Sequence, residues 1–159
     1  MNETIAEKNK TISLHPKTDS DKAFIRLVLR ECMLEYVNRH LQGWDEDLFQ
    51  QRWKEIPGYV IQRGQEQVGF IYLRMIDKIA HIHEFHLLPA FQNQGIGSWV
   101  LSEQVQKLKA EGMEWIQLHV FKDNPAVSFY ERHGFQIQGE GHLGTNWKMS
   151  CPLLQLTHE

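Results

Sequence analysis

Two glycines one residue apart, Gly95 and Gly97, stand in the stretch FQNQGIGSWVL, with amide side chains around them and a helix-like run after them. A strand, a tight loop and a helix start together bind anions, because the first amides of a helix have no intrahelical partner and the helix dipole favours negative charge there. Glycine lets an oxygen approach the backbone without meeting a Cβ and takes unusual dihedrals at little cost. The chemistry this predicts is phosphate binding, with a simple tight strand-to-helix turn as the alternative. A dinucleotide fingerprint would need a third small residue where Val100 stands, and a P-loop would need Gly-Lys-Ser/Thr where Gly97, Ser98 and Trp99 stand. Neither pattern is met.

The groups able to move protons or hold metals cluster upstream, in IAHIHEFHLL. His81 and His83 alternate with core-like residues and no nearby cysteine completes a ligand set, so no metal is expected. Glu84 and His86 are two residues apart, and a regular strand places both side chains on one face. Cys32 and Cys151 lie far apart without metal-ligand spacing; Cys32 falls at a helical core position and is expected to be a reduced thiol rather than a nucleophile.

These residues are positioned by a readable succession of elements. TISLHP alternates and stops at Pro16, as a short strand would. Asp19 or Ser20 is placed to cap a helix whose Ile25, Val28, Leu29, Cys32 and Tyr36 form one stripe, ending near Gly43. WDEDLFQQRWKEI predicts a second helix, broken at Pro57-Gly58. GYVIQR, QVGFIYLRMI and IAHIHEFHLL predict three strands joined by short turns, an antiparallel meander. After Pro89 the period changes: Leu101, Val105 and Leu108 are spaced for a helix closed by Gly112. WIQLHVF is the next strand; Asn124-Pro125 starts a short helix that Gly134 ends, since Asn caps a free amide and Pro loses no hydrogen bond at a helix start. FQIQGEG and TNWKMSC complete the chain as a hairpin.

The chain has 159 residues, 42% hydrophobic and 23% charged, the composition of one folded domain. Residues 1–10 are expected to be a flexible tail, and 11–159 a single domain. The net charge of −3 supplies no basic footprint for nucleic acid. The polar N-terminus MNETIAEKNK has no apolar leader, and no apolar run approaches the roughly 18 residues of a membrane span. A cytoplasmic protein with neither a nucleic-acid nor a membrane partner is expected.

Gln92-Asn93-Gln94-Gly95-Ile96-Gly97 resembles the Arg/Gln-x-x-Gly-x-Gly/Ala signature of the GNAT superfamily of acyl-CoA-dependent N-acetyltransferases. NPAVSFYERHGF is similar to the family's later region, with Asn124, Tyr130, Gly134 and Phe135 in place and Pro125-Ala126 directly after Asn124. The resemblance covers nearly the whole chain. It implies an α/β (α+β) fold with a mixed, mostly antiparallel central sheet of about seven strands flanked by about four helices, in the order β-α-α-β-β-β-α-β-α-β-β.

The resemblance implies acetyl-CoA as co-substrate, with its pyrophosphate over the amides of Gln92, Asn93, Gln94, Gly95, Ile96, Gly97 and Ser98, and a hydroxyl contact from Ser98. It implies that the strand before the loop bulges and splays, so that backbone at Leu87 and Leu88 pairs with pantetheine. Asn124 and Ala126 are implied cofactor contacts. Tyr130 is implied as the acid that protonates the departing thiolate, and Glu84 as the base, usually through water, with His86 or His119 as other acceptors. Tyr36, Trp44 and His119 fall on the implied acceptor side. There Trp44 with Asp45, Glu46 and Asp47 offers either an aromatic and acidic pocket for a cationic amine or an acid-rich helix start. The expected activity is acetyl transfer to a primary amine, on a small molecule or a protein, by direct attack in a ternary complex. The alternative is a non-catalytic acyl-CoA-binding sensor. Monomer and homodimer both stay open.

Overall fold

The computed structural model describes residues 11–153. The tail expected over 1–10 and the last residues of the 11–159 span lie outside the described residues. Among the described residues, four helices and seven strands follow in the expected order: β1 (Ile12–Pro16), α1 (Lys22–His40), α2 (Glu46–Glu55), β2 (Gly58–Arg63), β3 (Glu66–Ile76), β4 (Ile79–Leu87), α3 (Ile96–Ala110), β5 (Trp115–Phe121), α4 (Ala126–Arg132), β6 (Gln136–Glu140) and β7 (Asn146–Pro152). The strands form one open sheet in the order β1-β2-β3-β4-β5-β7-β6. Pairing is antiparallel for β1 with β2, β2 with β3, β5 with β7 and β6 with β7, and parallel for β4 with β5.

The chain divides into two compact units, one comprising residues up to Tyr72 together with Glu84–Gly97, the other Leu73–His83 together with Ser98 onward. In the first unit, Ile25, Val28, Phe49, Ile56, Val60, Phe70 and Tyr72 make a buried cluster. Full burial of such side chains is worth about 1.5–3 kcal/mol each. Around it, α1 is clamped to the α2 segment by cations over aromatic rings. Lys22, Arg26 and Arg30, one helical turn apart, lie 5.7, 4.6 and 4.9 Å from the ring centres of Trp53, Phe49 and Trp44. The stems of these cations cover apolar surface that α1, with only Ile25 and Val28 fully buried, does not itself bury.

Local signals at the helix ends are mostly those the sequence offers. Asp45 caps α2 by accepting from the Leu48 amide at 3.0 Å. Gly112 and Gly134 end α3 and α4 in left-handed conformations, φ +84° and +92°. The start of α1 corrects the sequence reading. Neither Asp19 nor Ser20 is the cap; both belong to a 3-10 turn over Asp19–Asp21, whose carboxylate at Asp21 accepts from the Thr18 amide at 2.8 Å. Cys32 is also less enclosed than its stripe position predicts: it is half-buried, and its thiol donates to the Leu87 carbonyl at 3.2 Å.

In the second unit the alternation of β5 buries Ile116, Leu118 and Val120, with Val100, Leu101 and Leu108 of α3, Tyr130 and Phe135 also buried. The parallel ladder between β4 and β5 has four rungs, Ile79 with Trp115 through Ile82 with Leu118, although β4 runs on to Leu87 and β5 to Phe121.

Candidate active site

The turn between β4 and α3 is held by its own side chains. Gln92 Nε2 donates to the Leu87 carbonyl at 2.8 Å, Gln94 Nε2 donates to the Ala90 carbonyl at 2.9 Å, and Arg63 Nη1 donates to Gln94 Oε1 at 3.0 Å. Pro89–Phe91 forms a 3-10 turn that fits the proline at its first position. Asn93 and Gly95 then take positive φ of 61° and 85°. Such alternation gathers successive backbone N–H groups into a concavity suited to anions. A Cβ built on Gly95 meets nothing within 4 Å, so the glycine faces open space. Ile96, 4% exposed, anchors the helix start, whose first amides lack intrahelical carbonyls.

The backbone of β4 just upstream is closely packed. A Cβ on Gly69 of β3 would stand 2.2 Å from the His86 carbonyl oxygen, so only glycine fits there. Leu88 donates its amide hydrogen to the Val68 carbonyl at 2.9 Å and accepts from the Phe91 amide at 2.9 Å. The Leu87 carbonyl accepts from both Cys32 and Gln92.

Glu84 and His86 do share one face. Glu84 Oε1 accepts from His86 Nε2 at 2.7 Å, and Glu84 Oε2 accepts from Arg52 Nη1 at 2.8 Å. Both side chains are mostly enclosed, at 12% and 15% exposure. Burial opposes charge on His86, but hydrogen bonds to Cys32 and Glu84 and the Glu84 charge outweigh it, and the imidazole is pushed up to about 9. At neutral pH the pair is a carboxylate between an imidazolium and a guanidinium. It is a charge network rather than an unengaged base. Sequence reasoning missed Arg52 and the Cys32 contact, which lie 32 and 55 residues from their partners.

Trp44 and Tyr36 lie in the first unit. Trp44 Nε1 donates to Glu46 Oε1 at 2.9 Å, and the ring carries the Arg30 guanidinium; Tyr36 carries that of Arg39 at 5.6 Å. Glu46 is held down to about 2 by hydrogen bonds from Arg26, then Trp44 and Gln50. The Trp44 and Tyr36 rings and the Glu46 carboxylate are each matched to a cation of the chain itself.

In the second unit, Asn124 Oδ1 caps α4 by accepting from the Ala126 amide at 2.9 Å. Tyr130, 6% exposed, stands edge-on to Phe129 and Phe135, each at 5.3 Å. His133, which sequence reasoning did not single out, holds Ser98: its Nδ1 lies 2.8 Å from the Phe129 carbonyl and its Nε2 3.0 Å from Ser98 Oγ. His119 approaches His81 at 5.5 Å between ring centres, and His81 approaches His83 at 4.5 Å. Burial, then the neighbouring His83, His119, Lys148 and Arg74, lower His81 to about 4; burial and Lys148 also lower His119. Both rings are neutral at neutral pH. Among the described residues, no group of three or more His, Cys, Asp or Glu is arranged to hold a metal ion.

The sequence profile of the Acetyltransferase (GNAT) family matches residues 25–135. An uncharacterized N-acetyltransferase of Methanocaldococcus jannaschii is 30% identical over 86 residues, 49% of this chain and 38% of that protein. The spermidine N(1)-acetyltransferase of Thermoplasma acidophilum is 31% identical over 72 residues, 45% of each. The chain thus spans less than half the length of either curated relative. The crystal structure of the PaiA N-acetyltransferase from Thermoplasma acidophilum in complex with coenzyme A superposes with a TM-score of 0.71 at 20% identity, covering 89% of this chain and 99% of that one. At that identity the match shows the fold.

Proposed function

Because the chain belongs to the acetyltransferase (GNAT) family, we propose that it is an acetyl-CoA-dependent N-acetyltransferase that passes its acetyl group directly to a primary amine of a small molecule or a protein. The observation that carries this reading is the turn over 92–98. Its left-handed Asn93 and Gly95, inward-folded Gln92 and Gln94 and open space over Gly95 suit a diphosphate held by backbone amides. In this reading the amides of Gln92 to Ser98 take the diphosphate. Backbone at Leu87 and Leu88, where β4 runs into the turn, takes the pantetheine arm in exchange for some of the contacts it makes now. Asn124 and Ala126, at the start of α4, are the remaining cofactor contacts.

The thioester supplies an activated acyl carbonyl; the protein supplies position and proton management. The amine nitrogen attacks the carbonyl carbon, the carbon–sulfur bond breaks, and the thiolate leaves. Tyr130 donates its phenol proton to that sulfur. An alkylammonium has a pKa of about 10.4 and must lose a proton before it attacks. Glu84 is the acceptor, through water, at the expense of loosening its contact with Arg52 or His86. His119, neutral at physiological pH, is the competing acceptor. Loss of the same pH limb in Glu84→Gln or in His119→Gln tells the two apart.

Tyr130→Phe tests the enzyme reading against a cofactor-binding module. An enzyme retains coenzyme A affinity and loses about 10²- to 10⁴-fold in turnover, the worth of a positioned acid. Unchanged thiol release from acetyl-CoA in this variant removes Tyr130 from the chemistry. No amine-dependent release by the unaltered protein removes the enzyme.

A further inference from the structure

We propose that His133 is the proton switch of the cofactor turn: it takes up a proton when coenzyme A binds, and thereby redirects the Ser98 hydroxyl from donating to His133 to donating to phosphate. This rests on the reading that the diphosphate sits at the start of α3.

The geometry fixes the tautomer of the neutral ring. A carbonyl oxygen only accepts, so the 2.8 Å contact with Phe129 places a hydrogen on His133 Nδ1. A neutral ring with that hydrogen has its lone pair at Nε2, so in that form the 3.0 Å contact takes the hydroxyl hydrogen of Ser98. Ser98 lies in the first turn of α3. With its hydrogen spent on His133, it turns only lone pairs outward, which repel an anion. Protonation reverses the contact. Nε2–H donates to Ser98 Oγ, the hydroxyl hydrogen is released outward, and an imidazolium stands beside the phosphate. No side chain has to move; one hydroxyl rotates.

The surroundings explain why the ligand supplies the driving force. The groove beside His133 is lined on α3 by Ser102, Gln106 and Lys109, with no carboxylate among its lining residues. On α4 itself, the Phe129 ring lies tilted at 4.5 Å, while Glu131 and Arg132 precede His133 in sequence and are exposed. From β7, the Cys151 sulfur lies 3.5 Å from where a Cβ on Gly134 would be. The charged side chain among the other lining residues is the cation of Lys109. By linkage, whatever favours the protonated ring favours coenzyme A, and the reverse.

Calorimetry of coenzyme A binding to the full chain, in buffers of differing ionisation enthalpy at one pH near 7.5, reads the proton directly. The unaltered protein should take up about half a proton to one proton more than His133→Gln, whose amide keeps a donor at Ser98 without titrating. Exchange by the phosphates themselves appears in both proteins and cancels. The affinity ratio of the two proteins should fall with rising pH, by at most about tenfold per unit. Equal uptake in both overturns the switch and leaves the cofactor site standing, whereas absence of coenzyme A binding in the unaltered protein overturns the cofactor site and the switch with it. If His133→Gln does not fold, the ring nitrogen NMR shifts of His133 in unaltered protein decide. A ring that remains neutral and protonated at Nδ1 in the saturated complex overturns the proposal.

Discussion

Gly95→Ala separates a phosphate cradle from a tight turn, because the structure gives its two costs separately. The residue sits at φ +85°, where an L-residue pays about 1–2 kcal/mol. Reduced freedom of the unfolded chain returns about 0.4–1 kcal/mol of that. No steric penalty is added, since the new methyl meets nothing within 4 Å. The net loss is therefore about 1 kcal/mol, a drop of about 2–4 °C in melting temperature for a chain of this size. The methyl projects into the space assigned to the diphosphate, so coenzyme A affinity should fall by at least tenfold, about 1.4 kcal/mol. Scanning calorimetry gives the first quantity and titration calorimetry the second. The small melting shift with unchanged affinity would refute the cradle and leave only the turn. Gly95→Asn sharpens the comparison, since Asn tolerates the left-handed conformation yet fills the same space.

Other expectations follow from the packing and the titrating groups. Gly69→Ala, whose Cβ would stand 2.2 Å from the His86 carbonyl, should destabilise the protein by about 3 kcal/mol or more, read as a large loss in denaturant midpoint. Arg26→Ala removes the cation over Phe49 and the exposed pair with Glu46, and should cost about 1 kcal/mol that high salt only partly reproduces. His81 is depressed from 6.5 to about 4, so the unfolded chain binds its proton first. The stability this ring contributes is complete above 6.5 and is lost as pH falls toward 4, by about 1–2 kcal/mol after solvent screening, and His81→Gln should flatten that acid limb. His86, raised to about 9, acts oppositely: its contribution is complete below 6.5 and is lost as pH climbs through 9.

The order of elements was legible because each carries its own local signal: alternation in β5, the Leu101 and Leu108 spacing in α3, Asn124 at the start of α4 and Gly112 and Gly134 at helix ends. The glycine turn was legible for the same reason. The Thr18–Asp21 arrangement was not, since several adjacent polar residues could have served and only the 3-10 turn decides among them. Arg52, Cys32 and His133 were invisible as site residues because their partners lie 32 to 55 residues away, and no local period encodes such a meeting. The same long-range contacts change what Trp44 can do. Arg30 already lies 4.9 Å from its ring centre, so an outside cation there competes with Arg30 for the ring.

Amine-dependent release of thiol from acetyl-CoA, followed across a panel of amines with mass detection of the N-acetyl product, tests the central claim most directly. The account predicts that at least one amine raises thiol release above its hydrolytic background and gains an acetyl group in equal amount. Binding of coenzyme A with no acetylated amine from the panel would contradict it, and would leave a cradle without a reaction.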